Sequence, residues 1–235
     1  MENKSLLLKD RPAIRWTVLV LLASMMFFAY MFVDVLSPLQ SLLEGSRGWT
    51  PENYGTFASS EYFLNVFVLF LIFAGVILDK IGVRSTALLS GVIMVIGASI
   101  KYFAVSPAFV GTGIETWLNS WWTSFPASAK LASLGFMIFG CGVEMAGITV
   151  SKGIVKWFKG KEMALAMGIE MAIARLGVFA VFRISPRIAD AYGDLSKPVL
   201  FVLILLFIGL ISFSVYFFFD KKLEKQLGER GDEPE

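Results

Sequence analysis

The stretch "VLFVLILLFIGLISFSVYFFF", Val199 to Phe219, decides what kind of fold this chain adopts. It runs for 21 residues without a charged side chain. An α-helix rises about 1.5 Å per residue, so the stretch is as long as the hydrocarbon core of a bilayer is thick. Because lipid cannot hydrogen-bond the backbone, a single apolar segment of this length must be helical there. The stretch therefore predicts a transmembrane helix.

Five further runs are also long and predominantly apolar, although four of them contain charged residues, and they lie at Ile14–Leu36, Tyr62–Leu78, Ser85–Ala104, Leu131–Val155 and Met163–Arg183. The whole chain is 56% hydrophobic and only 17% charged, against about a quarter charged in a soluble domain. We expect an all-α membrane protein with a bundle of six transmembrane helices over residues 14–219. An N-terminal segment, 1–13, precedes the bundle, and a charged tail or the start of a linker, 220–235, follows it.

The distribution of Lys and Arg predicts how the bundle is oriented, because these residues concentrate in cytoplasmic segments. With the N-terminus inside, the outer side holds six of them: Arg47, Lys101, Lys130, Arg183, Arg187 and Lys197. The inner side then holds fourteen: Lys4, Lys9, Arg11, Arg15, Lys80, Arg84, Lys152, Lys156, Lys159, Lys161, Lys221, Lys222, Lys225 and Arg230. Both termini are therefore predicted to be cytoplasmic.

Composition excludes several classes of function. The chain has one cysteine, Cys141, and no histidine, which excludes an intrachain disulfide, a Cys/His zinc site and a histidine-based triad. No basic patch is interleaved with aromatics, so no nucleic-acid partner is expected. We also find no nucleophile motif or paired carboxylates, and we predict neither an enzyme, a cofactor nor a metal site. The expected partners are the lipid bilayer and a small-molecule substrate.

Two charges stand deep inside apolar runs, Glu144 in the fourth and Arg175 in the fifth. A charge at this depth is costly unless it faces a cavity or a partner. Helical spacing places Glu144 on a stripe of small residues with Ser133, Gly140, Gly147 and Ser151. It places Arg175 on the face of Ala164, Gly168 and Ala172. Both charges are thus expected to point toward packed or cavity-facing surfaces. Glu170 falls about a third of a turn from the Arg175 face and is not grouped with it.

The loop between the second and third runs, "GVILDKIGVR" from Gly75 to Arg84, resembles the loop signature of the major facilitator superfamily, G-x-L-x-D-x-x-G-x-R. Gly75, Asp79, Gly82 and Arg84 match, and Ile77 replaces the usual Leu. Lys80 adds a further cation. Gly75 would allow close helix approach, and Gly82 suits a tight turn. The resemblance implies a gating loop that latches two halves of a transporter on the cytoplasmic side.

A second resemblance narrows the family. The segment "WFKGKEMALAMGIEMAIARLG", Trp157 to Gly177, together with the upstream "FGCGVE", is similar to the lysosomal dipeptide transporter family. In the first run "YMFVDVLSPLQ" is similar too, with Asp34 matching. Phe136 stands where the superfamily usually has an Arg in its fourth span. The resemblance covers essentially the whole chain but only the N-terminal half of the family pattern, because relatives have twelve spans.

This resemblance implies that Glu144 and Arg175 engage the two ends of a dipeptide. Arg binds a carboxylate through its planar fork, and Glu can neutralise an ammonium. The alternative is a structural ion pair between spans four and five. Asp34 shares a stripe with Tyr30, Ser37 and Ser41, and it either lines a cavity or is an interfacial charge. The predicted substrate-binding residues are Glu144, Arg175, Asp34 and Tyr30.

We therefore expect the N-terminal half of a transporter that moves dipeptides by alternating access, as a uniporter, with a second six-helix half as partner. One alternative is a carrier of the same superfamily for an organic anion or a sugar. Another is a truncated half-unit that does not transport. The absence of large glycosylated loops favours a bacterial inner membrane over a lysosomal one.

Overall fold

A computed structural model describes residues 7–230, and every regular element in this part of the chain is a helix. Three single-turn 3-10 helices lie at Leu8–Asp10, Ser37–Leu39 and Pro107–Phe109. Eight α-helices follow one another along the chain: α1 (Pro12–Val33), α2 (Gln40–Arg47), α3 (Pro51–Phe67), α4 (Phe70–Val105), α5 (Gly113–Asn119), α6 (Ala127–Phe158), α7 (Met163–Tyr192) and α8 (Ser196–Arg230). The start of the predicted N-terminal segment, with Lys4, and the last five residues of the predicted tail lie outside the described residues.

Within the described residues, five helical segments are long and apolar enough to cross a membrane: Pro12–Arg47, Phe70–Val105, Ala127–Phe158, Met163–Tyr192 and Ser196–Glu229. The first, third, fourth, fifth and sixth predicted spans each fall within one of these segments. The last three segments extend beyond the predicted ends because their polar terminal turns remain helical.

The second predicted span, Tyr62–Leu78, is not one continuous helix. The chain leaves α3 after Phe67, and Leu69 adopts a left-handed backbone conformation with φ of 55° before α4 begins. Neither Gly nor Pro occurs nearby, so the local sequence does not indicate this break. Within α4, Gly82 interrupts the helix with φ of 78° and ψ of 166°, a conformation that is essentially restricted to glycine. The turn predicted at Gly82 is therefore present.

The most extensive helix contact joins α4 to α6, and glycines bring these two backbones together. A Cβ atom on Gly97 of α4 would lie 2.5 Å from the carbonyl oxygen of Gly135 on α6. A Cβ atom on Gly142 would lie 2.8 Å from the backbone nitrogen of Met94. α3 packs on another side of α6, while α1 packs against α7 and α8.

Two small-residue surfaces differ from expectation. Ala164, Gly168 and Ala172 of α7 are exposed, so in the described chain this face is not a packing face. α7 instead contacts α1 through a neighbouring face, where Gly177 lies against the backbone of Phe27. Gly75 also makes no close helix contact, because a Cβ atom placed there meets nothing within 4 Å among the described residues.

The predicted solvated tail begins as a continuation of α8. The helix passes residue 219 without a break and runs to Arg230. Asp220, Leu223 and Leu227 are buried, because one face of this extension packs against the rest of the bundle.

Candidate functional site

A cavity of about 190 Å³ lies between α1, α6 and α7. Its walls combine apolar side chains with a few polar groups, an arrangement typical of sites for small molecules. The lining residues are Met26, Tyr30, Gly147, Ser151, Glu170, Met171, Ala174 and Arg175.

Arg175 and Tyr30, two of the predicted substrate-binding residues, meet in this cavity. The Cζ atom of Arg175 lies 5.2 Å from the centre of the Tyr30 ring, within the range of a cation–π contact. The Arg175 side chain is exposed, and it has no carboxylate within 4.0 Å among the described residues. Its guanidinium is therefore free to bind an anionic group.

Glu170 lines the same cavity, although the sequence analysis set it apart from Arg175. Met171, Ala174 and Arg175 follow Glu170 by one, four and five residues along α7. On the helix, Glu170 and Arg175 therefore lie at the two edges of one broad face, and Met171 and Ala174 lie between them. The cavity is wide enough to include both edges. The sequence therefore indicated the correct helix but too narrow a face.

Glu144 is half-buried on α6, one turn before Gly147. It belongs to the stripe that reaches the cavity through Gly147 and Ser151, but it is not itself a lining residue. In the part of the chain that the structure describes, no ion pair joins Glu144 to Arg175. The structural ion pair considered from the sequence is therefore not formed in this conformation.

Asp34 lies at the C-terminal end of α1, away from the lining of this cavity. Its Oδ1 atom accepts a hydrogen bond from the Ser37 hydroxyl at 3.0 Å. The Ser37 hydroxyl is also 3.0 Å from the hydroxyl of Tyr54 on α3. Asp34 thus belongs to a polar cluster that joins the end of α1 to α3.

Lys101 is fully buried, whereas the distribution of Lys and Arg predicted a flanking cation on the outer side at this position. Its side chain is 0% exposed, and its Nζ atom donates to the carbonyl oxygen of Phe32 at 3.2 Å. Three rings surround the ammonium: Phe136 at 4.0 Å, Phe32 at 4.6 Å and Phe57 at 5.1 Å. Phe136, which stands where the superfamily usually has an Arg, is the ring closest to this lysine. Lys130, also counted on the outer side, is buried as well.

The predicted gating loop contacts two other helices. Asp79 forms an ion pair with Lys152 of α6 at 2.7 Å, and Arg84 pairs with Glu224 of α8. Glu224 also accepts a hydrogen bond from Lys156 at 2.9 Å, and Lys156 donates to buried Asp220 at 2.8 Å. Lys80 is exposed. The loop is therefore connected through charges to the ends of α6 and α8.

The "KGKE" part of the second motif holds the N-terminal segment. Lys161 pairs with Asp10 and donates to the carbonyl oxygen of Lys9 at 3.2 Å. Arg15 pairs with Glu162 at 2.8 Å. The hydrogen bond from Lys161 lowers the pKa of the Asp10 carboxyl below its ordinary value of 3.8, although partial burial opposes this shift.

With this geometry in place, comparison with known proteins identifies the family. The model of the Major Facilitator Superfamily matches residues 22–234. The chain therefore belongs to this superfamily of membrane transporters. No solved structure matches the chain.

The relatives that match among curated proteins share one name. The chain is 28% identical to the lysosomal dipeptide transporter MFSD1 of Mus musculus over 72% of its length, and 26% identical to that of Homo sapiens over the same share. It is 24% identical to the one from Danio rerio over 92% of its length. It spans 32% of the length of the first two relatives and 44% of the third.

Proposed function

We propose that this chain forms part of a carrier that moves dipeptides across a membrane by alternating access, with the cavity between α1, α6 and α7 as part of the substrate site. One observation carries the proposal. Arg175, whose guanidinium has no ion-pair partner among the described residues, faces a cavity at membrane depth and lies over the Tyr30 ring. A charge in this position marks a substrate path in membrane proteins.

The chemistry of the cavity fits a zwitterion. Arg175 binds the carboxylate of the peptide bidentately. Glu170, at the opposite edge of the α7 face, and Glu144, on the adjoining stripe of α6, supply negative charge for the ammonium. A second six-helix unit covers the exposed side of the cavity, and rocking of the two units exposes the site to each side in turn. The similarity to proteins named dipeptide transporters supports this substrate class.

The test is ligand-induced thermal stabilisation of the purified chain. A ligand that binds only the folded state raises the apparent melting temperature, with a stabilisation of about 2.7 kcal/mol at a hundred times its Kd. We expect dipeptides to stabilise the wild type and to lose this effect in Arg175→Ala and in Glu144→Ala. Arg183→Ala is the matched control, because Arg183 lies on the same helix outside the cavity lining and contacts Phe179.

Modified ligands separate this proposal from the alternatives. An N-acetylated dipeptide lacks the ammonium, and a C-amidated one lacks the carboxylate, so both should stabilise the wild type much less. Equal stabilisation by the acetylated peptide or by a simple organic anion would instead identify an anion carrier. If neither dipeptides nor anions stabilise the chain, even when a second half is supplied, the dipeptide proposal is wrong.

A further inference from the structure

The side chain of Lys101 is enclosed by the helix bundle. The side chain is fully buried, and the nearest ring, Phe136, comes within 4.0 Å of Nζ. Phe32, Phe57 and Phe136 belong to three different helices, α1, α3 and α6, so the cage exists only in the assembled bundle. Aromatic faces attract cations, and the attraction is strongest where water is excluded.

The hydrogen bond of Lys101 ends on a particular part of α1. Phe32 is the last residue but one of the helix, so its carbonyl group has no partner within α1. The C-terminal end of a helix also carries the negative end of the helix dipole, which attracts a cation. Lys101 of α4 therefore caps the end of α1 from inside the bundle.

The carboxylates around this cap interact with Lys101 without reaching it. No carboxylate lies within 4.0 Å of Nζ among the described residues, while the charges of Glu61 and Asp34 act on Lys101 from further away. Glu61 is itself buried on α3. The carbonyl of Phe32 is thus the anchor of the ammonium, and the carboxylates contribute a favourable field.

The end of α1 carries Tyr30, which lines the proposed substrate cavity, and Asp34, which lies outside the lining. Tyr30, which stacks on Arg175, lies two residues before Phe32, and Asp34 lies two residues after it. Position 101 cannot move easily, because its backbone nitrogen packs on Gly135, where a Cβ atom would lie 2.6 Å away. The buried Lys101 side chain therefore holds the last turn of the helix that presents Tyr30.

We propose that Lys101 is a positioning residue for the substrate cavity: its caged ammonium fixes the last turn of α1 and thereby the Tyr30 ring against which Arg175 stacks. The effect of Lys101 on substrate binding rests on the proposed function. The structural part of the proposal, that Lys101 holds the end of α1, is independent of any substrate.

Two measurements test the proposal on the purified full chain. The first is the rate at which a soluble maleimide labels a cysteine introduced as Val33→Cys at the end of α1, in a Cys141→Ala background. The second is the Kd for a dipeptide from thermal stabilisation. Both are made on wild type, Lys101→Met and Lys101→Arg. Methionine keeps an apolar chain of similar length but removes the charge and the donor, whereas arginine keeps both.

Lys130→Met is the matched control. Lys130 is also buried, and it also donates to backbone carbonyl groups, those of Leu118 and Trp121, beside the Trp121 ring. It caps the short α5 segment rather than α1. The chemical change is therefore the same, and only the helix that loses its cap differs.

We expect Lys101→Met to speed the labelling of position 33 and to raise the dipeptide Kd roughly tenfold, because truncating a buried charged donor leaves its partner unpaired. Lys101→Arg should lie closer to the wild type in both measurements, and Lys130→Met should change neither. If Lys101→Met does not yield folded protein, Phe136→Leu, which removes the closest ring and leaves the ammonium in place, should give smaller changes in the same direction.

The proposal is wrong if Lys101→Met, or Phe136→Leu in its place, leaves the labelling rate at position 33 unchanged. It is also wrong if Lys130→Met changes that rate as much, because the effect would then be a general loss of stability. A wild type that binds no dipeptide would contradict the proposed function alone, since the labelling rates still decide whether Lys101 fixes α1.

Discussion

At the scale of single residues, the contribution of a Lys–Asp ion pair to stability depends on whether the pair is buried or exposed. Asp220 is fully buried, and it accepts hydrogen bonds from Lys156 at 2.8 Å and from the indole of Trp157 at 3.1 Å. Asp79 pairs with Lys152 at 2.7 Å, but its side chain is 75% exposed. Water screens the second pair and competes with it, whereas the first pair is shielded from water, and only Glu224 remains as an acceptor for Lys156 when Asp220 is lost.

We therefore expect Asp220→Ala to lower the free energy of unfolding by about 2 kcal/mol, because the Trp157 indole loses its acceptor and the Lys156 ammonium keeps only Glu224. Asp79→Ala should lower it by about 1 kcal/mol or less. Apparent melting temperatures in one detergent measure both changes. Equal losses in the two variants would show that burial does not set the strength of these pairs.

At the scale of elements, glycines decide which helix faces can meet. Gly97 of α4 touches the backbone of α6 so closely that no side chain fits between the helices. A Cβ atom placed on Gly168 of α7 would meet nothing within 4 Å among the described residues. Both glycines lie in apolar runs and look alike in the sequence. Only the partner helix distinguishes them.

Gly97→Ala should destabilise the chain by about 2 kcal/mol, because α4 and α6 must move apart to accept the methyl group. Gly168→Ala should stabilise it by about 0.5 kcal/mol or more, since alanine loses less backbone entropy in a helix. Thermal unfolding of the two variants beside the wild type provides the comparison. A neutral Gly97→Ala would contradict the close approach of the two helices.

At the scale of the whole molecule, the chain is held together by contacts between its distant parts. The pair Asp10–Lys161 binds the N-terminal segment to the loop between α6 and α7, and the pair Arg15–Glu162 binds the start of α1 to the same loop. The backbone of Leu8 also donates to the side chain of Gln226 on α8 at 3.0 Å. Together, these contacts link the N-terminal end of the described chain both to the second sequence motif and to the C-terminal part of α8.

The Asp10–Lys161 pair makes stability depend on pH in a defined direction. Because the pKa of Asp10 is lowered in the folded chain, its contribution is present above the ordinary value of 3.8 and is lost as the pH falls through the folded value. At pH 7, Asp10→Asn should therefore lower the free energy of unfolding by about 1 kcal/mol or less, because the pair is partly exposed. The melting temperature should fall slightly as a result. The difference from the wild type should begin to shrink as the pH falls below about 5, and it should disappear only below the folded pKa of Asp10, which is itself below 3.8.

Glu44→Gln is the control for this experiment, because Glu44 is exposed and forms no ion pair within the described residues. Its melting temperature should follow that of the wild type at every pH. A gap between Asp10→Asn and the wild type that persists unchanged at acid pH would show that the pair does not carry the effect.

The sequence by itself determined the class of fold. Long apolar runs without charges must form helices in a bilayer, and this requirement depends on composition and length alone. The loop "GVILDKIGVR" indicated the superfamily, which the family model confirms. Helical spacing predicted a packed or cavity-facing surface for Arg175, which lines a cavity together with Tyr30. Their roles in binding a substrate stay predictions.

Tertiary structure alone decided the rest. The break at Leu69, the inclusion of Glu170 in the cavity, the separation of Glu144 from Arg175 and the burial of Lys101 all depend on which helix lies opposite. Helical periodicity fixes the direction of a side chain on its own helix, but it contains no information about the neighbour. A lysine at the end of an apolar run can extend to water or cap another helix, and only the packing of α4 against α1 and α6 selects the second outcome.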